Sequence, residues 1–168
     1  DTVQCMGGGR YDYWTGRTRH IGDGSQWSPP ADDETSHLRS QSGMDFVYGA
    51  SMLVSCPFLR DIGLMSEDYF LYFEELDWAQ RARGRYGMGY ATRSVIWHKE
   101  GASISSAGRK KSETADYYMI RNRVLFTLRY FRKASPLIFA GILVSLGNRI
   151  IRMQMDRIPL VLRAVADG

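Results

Sequence analysis

Apolar positions recur at helical spacing in two stretches of this 168-residue chain. The longer stretch covers residues 113–132, and five of its apolar side chains form one stripe: Tyr117, Ile120, Val124, Leu128 and Phe131. Its arginines lie on the other faces. The shorter stretch, 74–83, carries apolar residues at similar spacing and is followed by Gly84, which favours a helix end. Both stretches are predicted to be helices.

Two other segments have the residue types of β-strands. Residues 44–56, "MDFVYGASMLVSC", are dense in β-branched and aromatic side chains and predict one or two buried strands broken at Gly49. Residues 90–98, "YATRSVIWH", alternate between the two faces of a strand. Between them, a short helix is expected to end near Gly63.

Two segments are too polar and glycine-rich for regular elements. Residues 1–43 contain "GGG", "GDG" and "SPPADDE", which predict turns, long loops or short hairpins. Residues 100–112, "EGASISSAGRKKS", predict a mobile loop able to close over a bound ligand.

Residues 134–168 are expected to form a basic amphipathic helical tail behind a first domain at 1–133. The apolar run at 136–147 has twelve residues, too few to span a bilayer. Four arginines are then interleaved with apolar residues: Arg149, Arg152, Arg157 and Arg163. This pattern suits peripheral contact with a membrane. It suits equally well packing against the protein's own core or against a second subunit in a homo-oligomer.

The composition fits a folded domain with a real core, because 44% of the residues are hydrophobic and the net charge is only +4. The basic surplus suits phosphate-bearing partners or an anionic membrane, and also no partner at all. Cys5 and Cys56 are too few for a disulfide framework and predict free thiols in a reducing compartment. No signal peptide is visible, and the first residues predict a segment of a longer polypeptide.

The stretch "LYFEELDWAQRAR", residues 71–83, places three carboxylates within four positions: Glu74, Glu75 and Asp77. In a helix, Glu74 and Asp77 share a face while Glu75 points elsewhere. One of these acids could serve as a general base. They could also be ordinary first-turn acids, with Asp77 paired to Arg81 one turn later.

Two neighbouring features favour chemistry over a plain helix start. The aromatic run "YFLYF", residues 69–73, would form an apolar wall on which sugar rings stack. His98 stands at the end of the second predicted strand, beside the polar loop, where its imidazole could reach a divalent metal.

Four motifs occur in the same order and at similar spacings in one enzyme family. "VYGASMLV", "GLMSEDYFLYFEELDWAQRAR", "VIWHKEGAS" and "YYMIRNRVLF", across residues 47–126, resemble the C-terminal half of bacterial family 2 inverting glycosyltransferases. The similarity is strongest to the rhamnosyltransferase-like members that build cell-surface polysaccharides. It implies an α/β fold: the acceptor-side half of a GT-A fold, with a short mixed sheet flanked by helices.

The resemblance also implies roles for the acidic stretch. Glu75 stands where the family has its catalytic base, often an Asp, and would deprotonate the acceptor hydroxyl. Glu74 would orient the site. Asp77, Trp78 and Tyr72 become candidates for binding the acceptor, a glycan or a polyprenyl-linked glycan.

On the donor side, the resemblance implies a nucleotide-sugar substrate and a divalent cation, Mg²⁺ or Mn²⁺. His98 matches a histidine that completes the metal shell, and Arg121 falls where a basic residue meets the donor phosphates, although it could instead only tie down the loop before it. The chain lacks the family's Asp-x-Asp motif after a strand, since "ADD" at 31–33 lies in a turn-rich loop. We therefore expect most of the metal and donor site on a preceding half, and an inactive isolated segment.

Together these inferences predict an inverting glycosyltransferase in the cytoplasm, peripheral at the inner face of the plasma membrane through residues 135–168. Two other classes stay open. One is a non-catalytic glycan-binding module that uses aromatic residues of the 69–78 stretch. The other is a basic membrane or nucleic-acid adaptor, and nucleic acid is not expected because the arginines are spread among core-type residues.

Overall fold

The computed structural model describes residues 2–28, 38–40, 43–98 and 112–168. The expectations for residues 31–33 and for the loop at 100–111 lie outside these ranges. The described chain divides into two compact units. The first comprises residues 2–11, 18–28, 38–40, 43–66 and 75–98, and the second comprises residues 12–17, 67–74 and 112–168. The expected domain boundary at 133/134 falls inside the second unit.

The described strands are short and form two antiparallel sheets. They are β1 (Gly8–Asp12), β2 (Arg17–His20), β3 (Leu38–Ser40), β4 (Phe46–Val47) and β5 (Gly89–Ala91). One sheet has the order β2-β1-β4, and the other pairs β3 with β5. The α/β class is confirmed, but the expectation of a mixed sheet is wrong for the described strands. A tight turn, with the Gly16 N–H bonded to the Asp12 carbonyl, joins β1 to β2 and reverses the chain.

Two strand predictions are confirmed only in part, because β4 covers only Phe46–Val47 of the first segment and β5 reaches only Ala91 in the second. Beyond Val47 the chain is irregular, and the side chain of Leu53 is 98% exposed. Residues 93–98 are also irregular, because the Ser94 N–H bonds to the Ala91 carbonyl and turns the chain out of the β3–β5 ladder. Alternation describes a strand only where a neighbouring strand supplies hydrogen bonds.

The helix predictions are confirmed. The helices are α1 (Cys56–Ile62), α2 (Glu74–Ala82), α3 (Glu113–Tyr130), α4 (Ser135–Ile151) and α5 (Ile158–Ala166). Ser55 caps α1 through its hydroxyl, and Gly63 ends it with a left-handed φ of 80°. Ser112 caps α3 in the same way, accepting from the N–H of Ala115.

In the first unit both cysteines are free thiols, as predicted. The Cys5 thiol donates to the Gly8 carbonyl over 3.1 Å. Burial raises the pKa of Cys5 to about 11, so this thiol is a packing group and a poor nucleophile. Cys56 is exposed at the start of α1.

The second unit is built on three helices. α3, α4 and α5 enclose a common core of buried side chains: Ile120, Val124, Ile138, Ile142, Val161 and Ala164. At the start of α3, Asp116 accepts from Arg149 over 2.8 Å and lies 3.7 Å from Arg157. Two of the four tail arginines are therefore paired with α3, and a third, Arg163, lies 3.5 Å from Asp167 in the same unit.

The helical stretch Arg132–Ile151 is longer than the apolar run suggested. It has 20 residues and a mean hydropathy of 1.6, which by length and composition is enough to cross a membrane. The expectation that this segment is too short is therefore wrong. Core helices of water-soluble proteins meet the same criterion. Ile138 and Ile142, which are 3% and 5% exposed, show that one face packs on protein.

A strained turn in the second unit leads into α2. Tyr72 and Phe73 are both in the left-handed region, with φ of 66° and 76°. For residues other than glycine this conformation costs about 1–2 kcal/mol each. The fully buried Asn122 side chain holds the turn, because its amide donates to the carbonyls of Leu71 (2.7 Å) and Tyr72 (2.8 Å).

Replacing Asn122 with alanine tests this turn. Asn122→Ala removes both donors and leaves two carbonyls without them, so we expect unfolding free energy to fall by about 2–4 kcal/mol. Asn148→Ala is the matched control, because Asn148 is exposed on α4. Urea denaturation followed by circular dichroism measures both, and equal stabilities of the two variants would contradict a structural role for Asn122.

Candidate active site

The first unit contains an open cleft of about 1290 Å³. One face of α2 forms part of its wall, through Glu75, Trp78, Ala79 and Ala82. Residues three and four positions apart lie on the same side of a helix, which explains why these four line the cleft together. Glu75 is the carboxylate that α2 presents there; Glu74 is half-buried and precedes the division between the two units.

Glu75 lies directly against the backbone of Gly49. The Gly49 N–H donates to the Glu75 carboxylate, and the Glu75 backbone N–H does the same. A methyl group on Gly49 would collide with Oε1 of Glu75. Gly49 is therefore required here for space, since only a hydrogen at Cα lets the carboxylate approach the backbone so closely.

The environment of Glu75 raises its pKa above the ordinary value for a glutamate. Burial is the largest cause, because the charged form loses hydration. The two backbone N–H groups and the charge of His20 act in the opposite direction and offset the burial only in part. A partly buried carboxylate with a raised pKa is a stronger proton acceptor than one in water, and it faces a cleft.

Two histidines, His20 and His98, lie close to the segment around Gly49, whose N–H binds the Glu75 carboxylate. The ring of Tyr48, the residue before Gly49, contacts His20 at 4.7 Å and His98 at 6.0 Å between ring centroids. Nδ1 of His98 lies 2.9 Å from Oε1 of Gln4. With the amide oxygen as acceptor, Nδ1 carries the proton and Nε2 is the basic nitrogen.

The other two site residues predicted on α2, Asp77 and Trp78, make contacts that hold the first unit together. Asp77 is 1% exposed and pairs with Arg81 at 2.9 Å, which was the alternative considered for it. Arg81 in turn donates to the carbonyls of Ile62 and Leu64 and closes the end of α1. Trp78 lines the cleft, but its indole N–H is used by the Gly63 carbonyl over 2.8 Å.

The aromatic wall expected at 69–73 is not formed as one surface, because two of its rings are buried while Phe70 is 72% exposed. Tyr69 and Phe73 are each 4% exposed and belong to the core of the second unit. The Tyr72 carbonyl is bound by Asn122. Among the aromatic side chains that line the Glu75 cleft, the exposed ones are Trp27, 43% exposed, and Trp97, 75% exposed.

Arg121 makes contacts within the second unit. Its guanidinium donates to the Asp68 carbonyl and, over 2.8 Å, to the side-chain oxygen of Asn122. These bonds tie down the segment that precedes α2, whereas the alternative considered for Arg121 concerned the loop before its own helix, which lies outside the described residues. Its assignment to donor phosphates stays a prediction.

A divalent cation has no complete ligand set among the described residues. No three His, Cys, Asp or Glu side chains come together in that part of the chain. His98 alone, even with the neighbouring Gln4 amide, is too small a donor set for Mg²⁺ or Mn²⁺, which prefer several oxygen ligands. The residues present do not fit a resident metal by themselves.

Sequence reasoning missed the residues that shape this site. His20 carried no motif, and Tyr48 and Gly49 stood within "VYGASMLV" with no role assigned to them beyond a strand break at Gly49. The glycine was the available signal: a single glycine after a strand marks either a bulge or a close backbone approach.

Comparison with known proteins gives one informative similarity. The chain is 27% identical over 117 residues to the low-salt glycan biosynthesis hexosyltransferase Agl10 of Haloferax volcanii, covering 68% of this chain and 37% of that protein. The chain thus spans little more than a third of this relative. No family model matches the sequence, and no solved structure matches it.

The raised pKa of Glu75 predicts a pH-dependent stability. The folded state holds this proton more tightly than the unfolded chain, so the contribution of Glu75 to stability is greatest at low pH and is lost as pH rises through its folded pKa. Glu75→Gln removes the buried charge, so we expect the variant to be more stable than wild type at pH 7. The gain should shrink at pH 4, where Glu75 is protonated.

Urea denaturation at both pH values measures this difference. Glu67→Gln is the control, because Glu67 is exposed and the substitution removes the same formal charge. If the Glu75→Gln variant is less stable than wild type at pH 7, burial is not the dominant influence on the pKa of Glu75.

Proposed function

We propose that this chain is the acceptor-side part of an inverting glycosyltransferase of GT-A type, with Glu75 as the catalytic base. The observation that carries the proposal is the partly buried Glu75 carboxylate, raised in pKa and held by Gly49 on the wall of an open cleft. The similarity to a hexosyltransferase of glycan biosynthesis supports the same reaction class.

The proposed reaction is a single displacement. The hydroxyl oxygen of the acceptor attacks the anomeric carbon of a nucleotide sugar, and the bond from that carbon to the diphosphate oxygen breaks. The hydroxyl proton passes to Glu75, and the nucleoside diphosphate leaves with the electron pair. One base suffices for this step, and its burial in the cleft raises its basicity at the moment of transfer.

The Gly49 N–H orients the base. It bonds to the Glu75 carboxylate from the backbone, so the orientation of that carboxylate does not depend on a second flexible side chain. Fixed orientation of a catalytic group lowers the barrier by avoiding reorganisation during the reaction.

The cleft also suits a sugar-containing acceptor. Trp27 and Trp97 expose aromatic surface along it, and aromatic faces pack against the apolar faces of sugar rings. We infer that the acceptor is a glycan or a lipid-linked glycan, and that rhamnose is one candidate for the transferred sugar. The nucleotide-sugar site and any divalent cation are assigned to residues beyond those described, and no step is routed through the metal.

Substitution of the base tests the proposal. In the protein that contains this chain, supplied with nucleotide sugars and a lipid-linked glycan fraction, Glu75→Gln should lower turnover about 10²–10⁴-fold, because the proton acceptor is lost. Acceptor binding should stay within about threefold, since glutamine keeps the size and the bond from Gly49. Release of nucleoside diphosphate measures turnover.

Glu67→Gln serves as the control and should retain wild-type turnover. Turnover of Glu75→Gln within tenfold of wild type would contradict a base at this position. Glycan binding by wild type with no turnover for any nucleotide sugar would instead favour a glycan-binding module.

A further inference from the structure

The second unit carries an apolar surface that its own core does not use. Along α4 and the turn after it, large apolar side chains face outward: Leu137 (55% exposed), Leu143 (67%), Val144 (65%), Ile151 (80%) and Met153 (84%). We call these five residues the α4 outer face. The opposite side of the same helix is filled by Ile138 and Ile142, so α4 has one protein-facing side and one apolar side facing out.

Positive charge surrounds this face. Residues 132–168 contain six arginines and lysines against two aspartates, whereas residues 1–131 contain sixteen of each sign, so the whole formal surplus of +4 lies in this part of the chain. No charged residue occurs between Lys133 and Arg149. The α4 outer face is therefore an uncharged strip with cations at both ends.

The cations at the ends are available to an outside partner. Arg132, Lys133 and Arg152 are exposed and make no ion pair with any described residue, whereas Arg149 and Arg157 are paired with Asp116. Exposed cations bordering an apolar strip match the headgroup and acyl layers of an anionic bilayer. A second copy of the same face would bring these cations against one another, which disfavours a homodimer at this surface.

We propose that the α4 outer face docks in the plane of an anionic lipid surface, with Leu143 and Val144 at the acyl boundary and Arg132, Lys133 and Arg152 at the headgroups. The helix lies on the membrane and does not cross it. Ile138 and Ile142 stay packed on α3 and α5, and the buried ion pairs of Asp116 next to that core would be costly inside hydrocarbon. This inference is independent of the proposed transfer reaction.

Vesicle flotation tests the proposal. The wild-type protein should float with vesicles of phosphatidylcholine and phosphatidylglycerol, and at least about tenfold less with phosphatidylcholine alone. The double variant Leu143→Glu/Val144→Glu should lose flotation, and both sites are exposed enough to accept the change without unfolding. Leu64→Glu is the matched control, because Leu64 is a 77% exposed leucine of the first unit, and it should float as wild type does.

A second variant separates the contribution of the charged side chains to vesicle binding from that of the apolar side chains. Lys133→Gln/Arg152→Gln should weaken binding to the anionic vesicles by about tenfold or more, and added salt should do the same. Three results would overturn the proposal: no flotation of wild type, equal flotation of the Leu143→Glu/Val144→Glu variant, or wild-type protein that resists extraction from membranes with alkaline carbonate. The last would show that the helix crosses the bilayer. If the wild-type protein is a dimer that does not bind vesicles, and Leu143→Glu/Val144→Glu converts it to a monomer, the α4 outer face is the contact surface for a second copy and the proposal is overturned.

Discussion

The backbone turn that leads into the acidic stretch is held by the carboxamide of Asn122. This carboxamide donates to two successive carbonyls and holds Tyr72 and Phe73 in left-handed conformations, which neither residue would adopt alone at a low free energy. The chain leaves this turn as α2, with Glu74 and Glu75 as its first residues. A buried asparagine on α3 thus determines where α2 begins.

The Glu75 site has a stability disadvantage of the kind expected at a functional centre. A carboxylate is kept partly away from water, although a neutral side chain of the same shape would avoid that cost. By contrast, the other buried acid of α2 is fully compensated, since Asp77 is paired with Arg81. Helix α2 therefore holds one acid that is paired with a cation, Asp77, and one whose burial is only partly offset, Glu75. Asp77 stabilises the packing of α2 on the end of α1, and Glu75 is available for proton transfer.

Helix positions were predictable from the sequence because they depend on local spacing and caps. α2 and α3 follow from their apolar repeats, and the end of α1 follows from Gly63, so no knowledge of distant contacts was needed. The strand expected at 90–98 ends at Ala91, where its pairing with β3 ends, because pairing between distant segments is not visible in alternation. The same limit explains the aromatic run at 69–73, which was expected to form one exposed wall, whereas Tyr69 and Phe73 are buried and Phe70 is exposed.

The site was predictable only in part. Glu75 and His98 could be singled out from motifs, whereas His20, Tyr48 and Asn122 reach their positions through contacts between residues 28 to 51 positions apart. The tail shows a similar division. Its amphipathic, basic pattern was evident from the sequence. The packing of α3, α4 and α5 decides which of its arginines pair with Asp116 and which stay exposed.

The most direct measurement of the central claim is the titration of the Glu75 side chain by carbon-detected nuclear magnetic resonance. Its carboxyl signal is assigned by its disappearance in Glu75→Gln. The account predicts a midpoint above that of an ordinary glutamate, about 4.3, and a shift back toward that value in Gly49→Ala, where the added methyl group displaces the carboxylate. A Glu75 midpoint at or below the ordinary value, unchanged in Gly49→Ala, would contradict a desolvated base held at Gly49.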